Sequence, residues 1–409
     1  MRIWLVHQHA LPPSEFGSTR HYTFARELIR HGHEVVIIAS GVHYAIRKEK
    51  ALAAGERWRH EVIEGVPFCW VRSPEFSENR LIRLWNMTAF AARLWAGTGV
   101  GKLAKPDIIL GSSPSLFAAL AAERLAKRFR VPFVLEVRDI WPQTVIDLGR
   151  VSERHPIICA MRWIERHLYA KADHIVTVLP KAQDYMVEKG VPPDKISWLP
   201  NGTDFRMVPE PERAGEDGIL TVMYTGAHGL ANGLGLMLDT AALLEREGYG
   251  DRVRFSLVGD GPEKPVLQER ARKENLANVQ FADPVPKREI CRKLLEADVC
   301  VEIQMDTSLY QWGTSPNKVF DYLAAARPIL FCGREPLTSV TEAQAGICVR
   351  PENPRAMADA VKQFIEMPDD ERWEMGLRGR RYVEEHHDFA RLTDRLADIL
   401  REVAARPRG

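Results

Sequence analysis

The sequence has almost no net charge. Its 56 Lys and Arg residues nearly balance its 55 Asp and Glu residues, which leaves a formal net charge of +1. It also lacks a basic run of the kind that binds nucleic acid. Without a net positive charge or a basic patch, the chain has no electrostatic field that attracts DNA or RNA from a distance. We therefore expect no nucleic-acid partner.

Cysteines and long apolar segments are also scarce. The six cysteines are scattered and none forms a C-x-x-C pair, which predicts reduced core thiols. No window of about 18 residues is apolar enough to span a bilayer. Residues 1–6 resemble a short strand rather than a signal peptide. These features predict a cytoplasmic protein.

The length and the element pattern indicate two domains. A chain of 409 residues exceeds one ordinary hydrophobic core. Apolar strands at 2–6 and 34–39 flank a predicted helix at 20–30, and the same rhythm restarts with a strand at 219–224. This alternation predicts doubly wound α/β domains with parallel sheets. A polar stretch at 208–218 marks the boundary.

The stretch 313–330, GTSPNKVFDYLAAARPIL, has the clearest signature of a binding site. Gly313, Thr314 and Ser315 form a loop of small residues. Pro316 fits the first position of a helix that we predict from Asn317 to residue 326. Free N–H groups and the positive end of the helix dipole then converge on one point. Phosphate is the usual ligand of such a point.

Two charged side chains follow in this predicted helix. Lys318 adds a positive charge in the first turn, and Asp321 lies one turn later, where it can accept hydrogen bonds from sugar hydroxyls. The alternative is an ordinary surface helix with a solvated Lys and Asp. The motif alone leaves both interpretations open.

Two further loops are candidates for the ligand edge of the first sheet. Gly17 and Ser18 stand at a loop-to-helix junction, although an ordinary helix cap is the better explanation when these residues are taken alone. Arg138 and Asp139 come just after the predicted strand at 133–137, which is the usual place for chemistry in an open α/β sheet. The alternative is a structural ion pair.

In the second half, a Gly-rich turn that includes Gly226 follows the strand at 219–224. It is not a true G-x-G-x-x-G, so the sequence does not predict dinucleotide binding.

The segment 79–105 is basic and contains tryptophan, with no acidic residue between Glu78 and Asp107. As a helix it would place Arg83, Asn86 and Arg93 on one polar face. Such a helix can lie on an anionic membrane surface. The alternative is a helix packed on its own domain with solvated arginines.

The motifs together resemble a known family. VIIAS, ADHIVTVLP, WLPNGTD, YTG-x-HG, LVGDGPE and SPNKVFDYLAAARPIL resemble those of the retaining, sugar-nucleotide-dependent glycosyltransferases of the GT-B superfamily called family four. The opening loop and EVRDIWPQ look closest to fucosaminyl transferases that build O-antigen or capsule repeat units on a lipid carrier. The resemblance implies a GT-B fold, an α/β architecture of two Rossmann-like domains that face each other across a cleft.

The same resemblance implies a division of the chain. Residues 1–205 would form the acceptor domain, residues 206–386 the nucleotide-sugar domain, and residues 387–409 a helix that returns to the first domain.

The chain departs from the family pattern at several positions. The family motif E-x7-E has Asp321 at its second position and Gly313 at its first. The Arg and Lys that neutralise the donor diphosphate are replaced by Ala227 or His228, and by Asn232. The usual His-Asp pair is Arg138–Asp139. We expect Lys318 and Arg138 to supply the missing positive charge.

The resemblance implies a UDP-linked donor. Backbone N–H groups of Ser315, Asn317 and Lys318 would hold its diphosphate, Gly17 would approach from the other domain, and Asp321 would bind the ribose. The acceptor, a glycan or a lipid-linked sugar, would lie near Arg138 and Asp139. No D-x-D motif is present, so we expect neither a metal nor a further cofactor.

Two other functions remain open from the sequence. One is a UDP-sugar epimerase or hydrolase, which would turn over UDP-GlcNAc without an acceptor. The other is a non-catalytic GT-B subunit, which would bind nucleotide without turnover. The predicted location is the cytoplasm, with peripheral attachment to the inner membrane if the segment 79–105 binds lipid.

Overall fold

The computed structural model describes residues 1–77, 79–147, 151–215, 217–334 and 338–406. The chain forms two α/β domains, each built on its own sheet. The predicted GT-B architecture of two Rossmann-like domains is confirmed. No helix within the described ranges is long and apolar enough to cross a membrane.

The first sheet has eight strands in the order β3-β4-β2-β1-β5-β6-β7-β8. Neighbouring strands are parallel, except for the antiparallel pair β3 and β4. The strands are β1 (Arg2–Val6), β2 (Glu34–Ser40), β3 (Trp58–Ile63), β4 (Val66–Val71), β5 (Ile108–Ser112), β6 (Phe133–Val137), β7 (His174–Thr177) and β8 (Ile196–Trp198).

The second sheet is parallel throughout, with six strands in the order β11-β10-β9-β12-β13-β14. The order places β9 and β12 at its centre. The strands are β9 (Leu220–Thr225), β10 (Val253–Val258), β11 (Val279–Ala282), β12 (Val299–Ile303), β13 (Ile329–Cys332) and β14 (Gly346–Val349).

Helices connect the strands and cover the sheets. In chain order, those of the described residues are α1 (Arg20–Arg30), α2 (Arg80–Trp95), α3 (Leu116–Phe129), α4 (Gln143–Asp147), α5 (Pro156–Lys171), α6 (Ala182–Glu188), α7 (Gly235–Arg246), α8 (Lys264–Lys273), α9 (Ile290–Leu294), α10 (Asn317–Ala324), α11 (Thr338–Glu342), α12 (Pro354–Glu366), α13 (Asp369–His386) and α14 (Phe389–Ala405).

The last helix, α14, packs on the first domain. Its apolar side chains Phe389, Leu392, Leu396 and Leu400 belong to the same buried cluster as residues of α1 and β1. The rings of Phe24 and Phe389 meet edge to face with 5.2 Å between their centroids. The apolar face of α14 is thereby buried on the first domain.

Helix α10 begins at Asn317 as predicted but ends earlier, at Ala324. Pro316 is the extended residue before the helix, not its first helical residue. The helix ends at Ala324 because Ala326 adopts a left-handed conformation. The Arg327 N–H then donates to the Tyr322 carbonyl at 3.0 Å. This is the hydrogen-bonding pattern of a Schellman end.

Backbone hydrogen bonds join the two domains on both sides of the cleft. The Lys181 N–H donates to the Trp312 carbonyl at 3.1 Å, and the Lys287 N–H donates to the Glu15 carbonyl at 3.3 Å. The Trp312 side chain also packs against the hydrophobic cluster of the first domain. The structure therefore has its two domains in contact around the cleft.

Candidate functional site

The carboxyl ends of β1 and β6 face those of β9 and β10 across a cavity of about 560 Å³. The predicted site residues that line it are Gly17, Ser18, Arg138 and Asp139 from the first domain and Gly226, Pro316, Asn317, Lys318 and Asp321 from the second. In open α/β sheets, ligands bind at this edge. Most of the predicted set is therefore gathered in one place.

A smaller cavity of about 290 Å³ adjoins it and shares Arg138, Asp139, Pro316 and Asn317. Its wall adds Gly313, Thr314, Ser315, Asn232 and Glu302. The two cavities meet at the start of α10, and we refer to them below as the large and small cavities.

The loop before α10 is fixed by contacts from both domains. Ser315 accepts a hydrogen bond from the Asn201 N–H at 3.0 Å through its hydroxyl, and its carbonyl accepts one from Asn201 Nδ2 at 2.6 Å. Thr314 Oγ1 accepts one from Gln304 Nε2 at 3.0 Å. The N-terminus of α10 is thus held facing the large cavity.

A glycine is required at position 313 because the first domain approaches the backbone closely there. Its φ of +79° lies in the left-handed region, and a Cβ there would lie 2.5 Å from Pro180 Cγ of the first domain. Any side chain at this position would be strained and would press on the first domain. The absence of a carboxylate at position 313 therefore has a steric cause.

Lys318 is not the free cation that the sequence predicts. Its Nζ lies 3.0 Å from Glu302 Oε2 and donates to the Tyr224 hydroxyl at 3.0 Å. Burial opposes the charge, but Glu302 and Tyr224 outweigh it and raise the pKa of Lys318 well above its usual value. Since Glu302 already balances this charge, Lys318 cannot supply a whole positive charge to a diphosphate.

Asp321 is also engaged. It is buried, with Oδ1 accepting from Thr203 Oγ1 at 2.9 Å and Oδ2 paired with Lys287 Nζ. The predicted contact with ribose would require a sugar hydroxyl to join or replace these partners. Lys287 was missed by sequence reasoning, because it follows a loop that gave no motif.

His228 does not reach the cavity. The residue is fully buried, and its ring lies near the rings of Tyr224 and Phe281. Burial, followed by the charge of Lys264, lowers the pKa of His228 to about 4. Because the ring is neutral and enclosed, the structure does not support His228 as a residue that contacts the donor. Asn232, by contrast, lines the small cavity.

Arg138 is held by three contacts from its own domain. Its backbone N–H donates to Ser113 Oγ at 2.8 Å, its Nη2 to Ser18 Oγ at 3.3 Å, and its Nη1 lies 3.3 Å from His7 Nε2. Since a guanidinium only donates, His7 Nε2 is the acceptor and the imidazole is neutral. Burial, then the charges of His21 and Arg138, lower the pKa of His7 well below its usual value.

Asp139 is exposed within the cleft. The walls of the cleft reduce the hydration of this open side chain and raise its pKa, and the charge of Arg138 opposes that change. No ion pair between Arg138 and Asp139 occurs among the described contacts. A carboxylate with a raised pKa is a better proton acceptor.

A buried carboxylate beneath Arg138 organises the first-domain wall. Glu136 in β6 is contacted by Arg20 Nε at 2.9 Å, His21 Nε2 at 2.7 Å and Ser112 Oγ at 2.6 Å. Burial opposes ionisation, but Arg20 and His21 outweigh it and hold the pKa of Glu136 well below its usual range.

The ring of His21 stacks on that of His7, with 4.2 Å between the ring centroids. A series of side-chain contacts thus runs from Glu136 through His21 and His7 to Arg138. Sequence reasoning missed all three residues, although an acid inside a predicted buried strand was a usable signal.

The polar face of α2, which both interpretations of the sequence left exposed, contacts the protein. Asn86 is buried and donates to Ser73 Oγ at 3.0 Å. Arg83 donates to the Tyr44 hydroxyl at 2.8 Å, and Arg93 donates to the Arg72 carbonyl at 2.6 Å. Hydrogen bonds to residues from other segments of the chain therefore satisfy this polar face.

The solvent side of α2 is apolar. Its exposed side chains include Leu81, Trp85 and Trp95, which are 69%, 61% and 59% exposed. Their spacing of four and ten residues places them along one stripe of the helix.

The two domains match two family models. Residues 17–202 match the glycosyl transferase 4-like domain, and residues 220–367 match the glycosyl transferases group 1. Together the two matches cover most of the chain. The chain belongs to the glycosyltransferases of the GT-B fold.

Known relatives align along most of their length. The chain is 24% identical over 363 residues to the putative colanic acid biosynthesis glycosyl transferase WcaI of Escherichia coli (strain K12), covering 83% of this chain and 86% of the relative.

Solved structures share the fold. Sucrose-phosphate synthase from Thermosynechococcus elongatus superposes with a TM-score of 0.75 at 15% identity over 99% of each chain. HepE of Anabaena, in complex with UDP and glucose, superposes with a TM-score of 0.68 at 13% identity, covering 98% of this chain and 99% of HepE.

Proposed function

We propose that the chain is a retaining glycosyltransferase that moves a sugar from a UDP-linked donor to a glycan or lipid-linked acceptor in bacterial cell-surface polysaccharide biosynthesis. The observation that carries the proposal is the large cavity, where the N-terminus of α10 faces Arg138 and Asp139 across the domain boundary. The relative named for colanic acid biosynthesis and the structure that holds UDP and glucose support the substrate classes.

The donor diphosphate lies in this proposal at the start of α10. Backbone N–H groups of Ser315, Asn317 and Lys318 point to it, and the helix dipole favours its charge. Arg138 reaches it from the first domain, with Gly17 beside it. Gly226 lines the same cavity and leaves room for the nucleotide. Asp321 and Lys287 stand beside the ribose.

The chemical step breaks the bond between the anomeric carbon and the diphosphate oxygen, and the acceptor hydroxyl forms a new bond on the same face. The hydroxyl proton passes to the leaving phosphate oxygen, or to Asp139, whose raised pKa suits this role. Arg138 and the backbone N–H groups stabilise the charge that develops on the departing diphosphate. No metal ion or cofactor is assigned a role in this step.

The finer assignment follows the sequence resemblance. We place the chain with the fucosaminyl-transferase-like enzymes of O-antigen and capsule assembly, on the basis of the opening loop, EVRDIWPQ and SPNK. The acceptor is then a sugar on a lipid carrier, met at the cytoplasmic face of the inner membrane.

A thermal-shift screen against UDP-, GDP- and dTDP-sugars tests the donor class. Ligands that bind only the native state raise its melting temperature. We expect UDP-sugars to give the largest shift, followed by turnover when a lipid-linked acceptor is added. A larger shift with another nucleotide would contradict the UDP assignment, and no shift with any of them would contradict the proposed function.

We further propose that α2 attaches the enzyme to an anionic bilayer. The exposed stripe of Leu81, Trp85 and Trp95 would enter the interface, and nearby cations such as Arg124, 5.8 Å from the Trp95 ring, would meet anionic headgroups.

Replacing Leu81 and Trp85 together by Ser is expected to release the protein from vesicles of phosphatidylglycerol and phosphatidylethanolamine in a sedimentation assay. The fold should survive, because both side chains are exposed. Trp163→Ser is the matched control, since Trp163 is 59% exposed on a different helix. Equal binding of the wild type and the Leu81/Trp85 variant, or no wild-type binding at low salt, would contradict this attachment.

A further inference from the structure

The small cavity holds a carboxylate that the proposed mechanism does not use. Glu302 stands in β12, one residue before the carboxyl end of this central strand, and its side chain is only 6% exposed. Acidic residues are rarely buried unless paired or used. Glu302 also lies at the edge of the sheet where ligands bind, so its side chain can contact a bound ligand.

The location of Glu302 relates it to the transferred sugar. The small cavity extends from the start of α10, where the diphosphate is proposed to lie, to Asp139, where the acceptor is proposed to lie. In the proposed arrangement the nucleotide fills the large cavity, so the sugar, which joins the diphosphate to the acceptor, occupies the small one.

The chemistry of the wall singles out Glu302 on the second-domain side. Its neighbours there, Asn232, Gln304 and Thr314, are neutral polar residues. Gln304 Nε2 already donates a hydrogen bond to Thr314 Oγ1 at 3.0 Å. An ionised carboxylate is an acceptor only, and sugar hydroxyls are donors. Hydrogen bonds to charged groups are also the stronger kind.

The hydrogen-bonding capacity of Glu302 is not used up. Its Oε2 lies 3.0 Å from Lys318 Nζ, yet no donor of the described chain makes a well-aligned hydrogen bond to that buried oxygen. Lys318 pairs with the carboxylate and fixes its position. A fixed and under-used acceptor suits a ligand with hydroxyl groups.

We propose that Glu302 determines donor-sugar specificity by accepting hydrogen bonds from hydroxyl groups of the transferred sugar in the small cavity. This inference rests on the proposed function. It assigns to Lys318 the role of holding Glu302, in addition to the role of its backbone N–H at the diphosphate.

The test compares the dissociation constant of UDP with that of the preferred UDP-sugar, measured by calorimetry. The ratio of the two isolates the sugar contribution. In Glu302→Gln, we expect UDP affinity to be retained or improved, because the substitution frees the ammonium of Lys318. The extra affinity of the sugar is expected to fall about tenfold or more. Discrimination against a deoxy-sugar analogue should fall by the same factor.

A second variant guards against misfolding. Glu302→Gln alone leaves Lys318 buried without its partner, which can destabilise the protein. The double variant Glu302→Gln with Lys318→Met removes both charges and keeps similar volumes. We expect it to fold and to show the same loss of the sugar contribution. Glu296→Gln, at an exposed carboxylate, is the matched control and should behave like the wild type.

The outcomes separate the hypotheses. A loss confined to the sugar contribution supports the proposal. An equal change in the affinities for UDP and UDP-sugar, or no change, would overturn it, because Glu302 would then act only on Lys318 or not at all. If the wild type binds neither UDP nor any nucleotide-sugar, the proposed function itself fails.

Discussion

A chain that ends after His386, and so lacks α14, is expected to lose its stable fold. The helix buries Phe389, Leu392, Leu396, Leu400 and Val403 in the cluster shared with the first sheet. At about 1.5–3 kcal/mol for each fully buried side chain, this burial contributes about 8–15 kcal/mol as an upper bound. Folded domains have only about 5–15 kcal/mol of net stability.

The truncation also removes a link at the domain junction. The Phe389 N–H donates to the Thr203 carbonyl at 3.0 Å, beside the hydrogen bond from the Thr203 N–H to His387. Circular dichroism during urea unfolding should show a lost or strongly shifted transition. A chain ending after Arg406 is the control. A truncated protein that stays folded and fully active would show that α14 is only an appendage.

Replacing Glu136 by Ala is expected to give the second large effect. The change leaves Arg20 buried at 1% exposure without its carboxylate. Breaking a buried pair in this way costs about 3–5 kcal/mol. His21 also loses its acceptor, so the stack of His21 and His7 that supports Arg138 should loosen. Turnover should therefore fall even under conditions where the variant remains folded.

Two measurements separate the stability effect from the activity effect. Chemical denaturation gives the free energy of unfolding, and kcat/KM is measured well below the melting temperature of the variant. Glu123→Ala is the matched control, because Glu123 is 5% exposed in α3 and does not line either cavity. It should lose stability without a matching loss of kcat/KM per folded molecule. Equal losses of activity in both variants would remove the special role of Glu136.

The sequence was sufficient for the alternation of strands and helices and for the start of α10. Buried parallel strands are continuous apolar runs, and the small-residue loop before Asn317 has a strong local signal. The antiparallel pair β3 and β4 was missed, because the exposed edge strand Trp58–Ile63 is half polar. The available signal for a hairpin in the sequence was the pair Glu64-Gly65, which forms a turn with positive φ at both residues in the structure.

Interactions between distant segments could not be predicted in the same way. Lys318 looked like a free cation because Glu302 lies on a different element, and their ion pair forms only when β12 and α10 pack together. The polar face of α2 looked solvent-exposed for the same reason, since Tyr44 and Ser73 come from other loops. Local patterns indicate which residues are polar, but the packing decides which of them face solvent or a ligand.

The central claim is that one nucleotide-sugar binds between the two domains and contacts both. Hydrogen exchange with and without saturating UDP, read by mass spectrometry, tests it most directly. We expect slower exchange in peptides that cover the start of α10 at 313–319 and also in those that cover the first-domain turn at 17–20. Protection confined to one domain, or located away from both segments, would contradict the account.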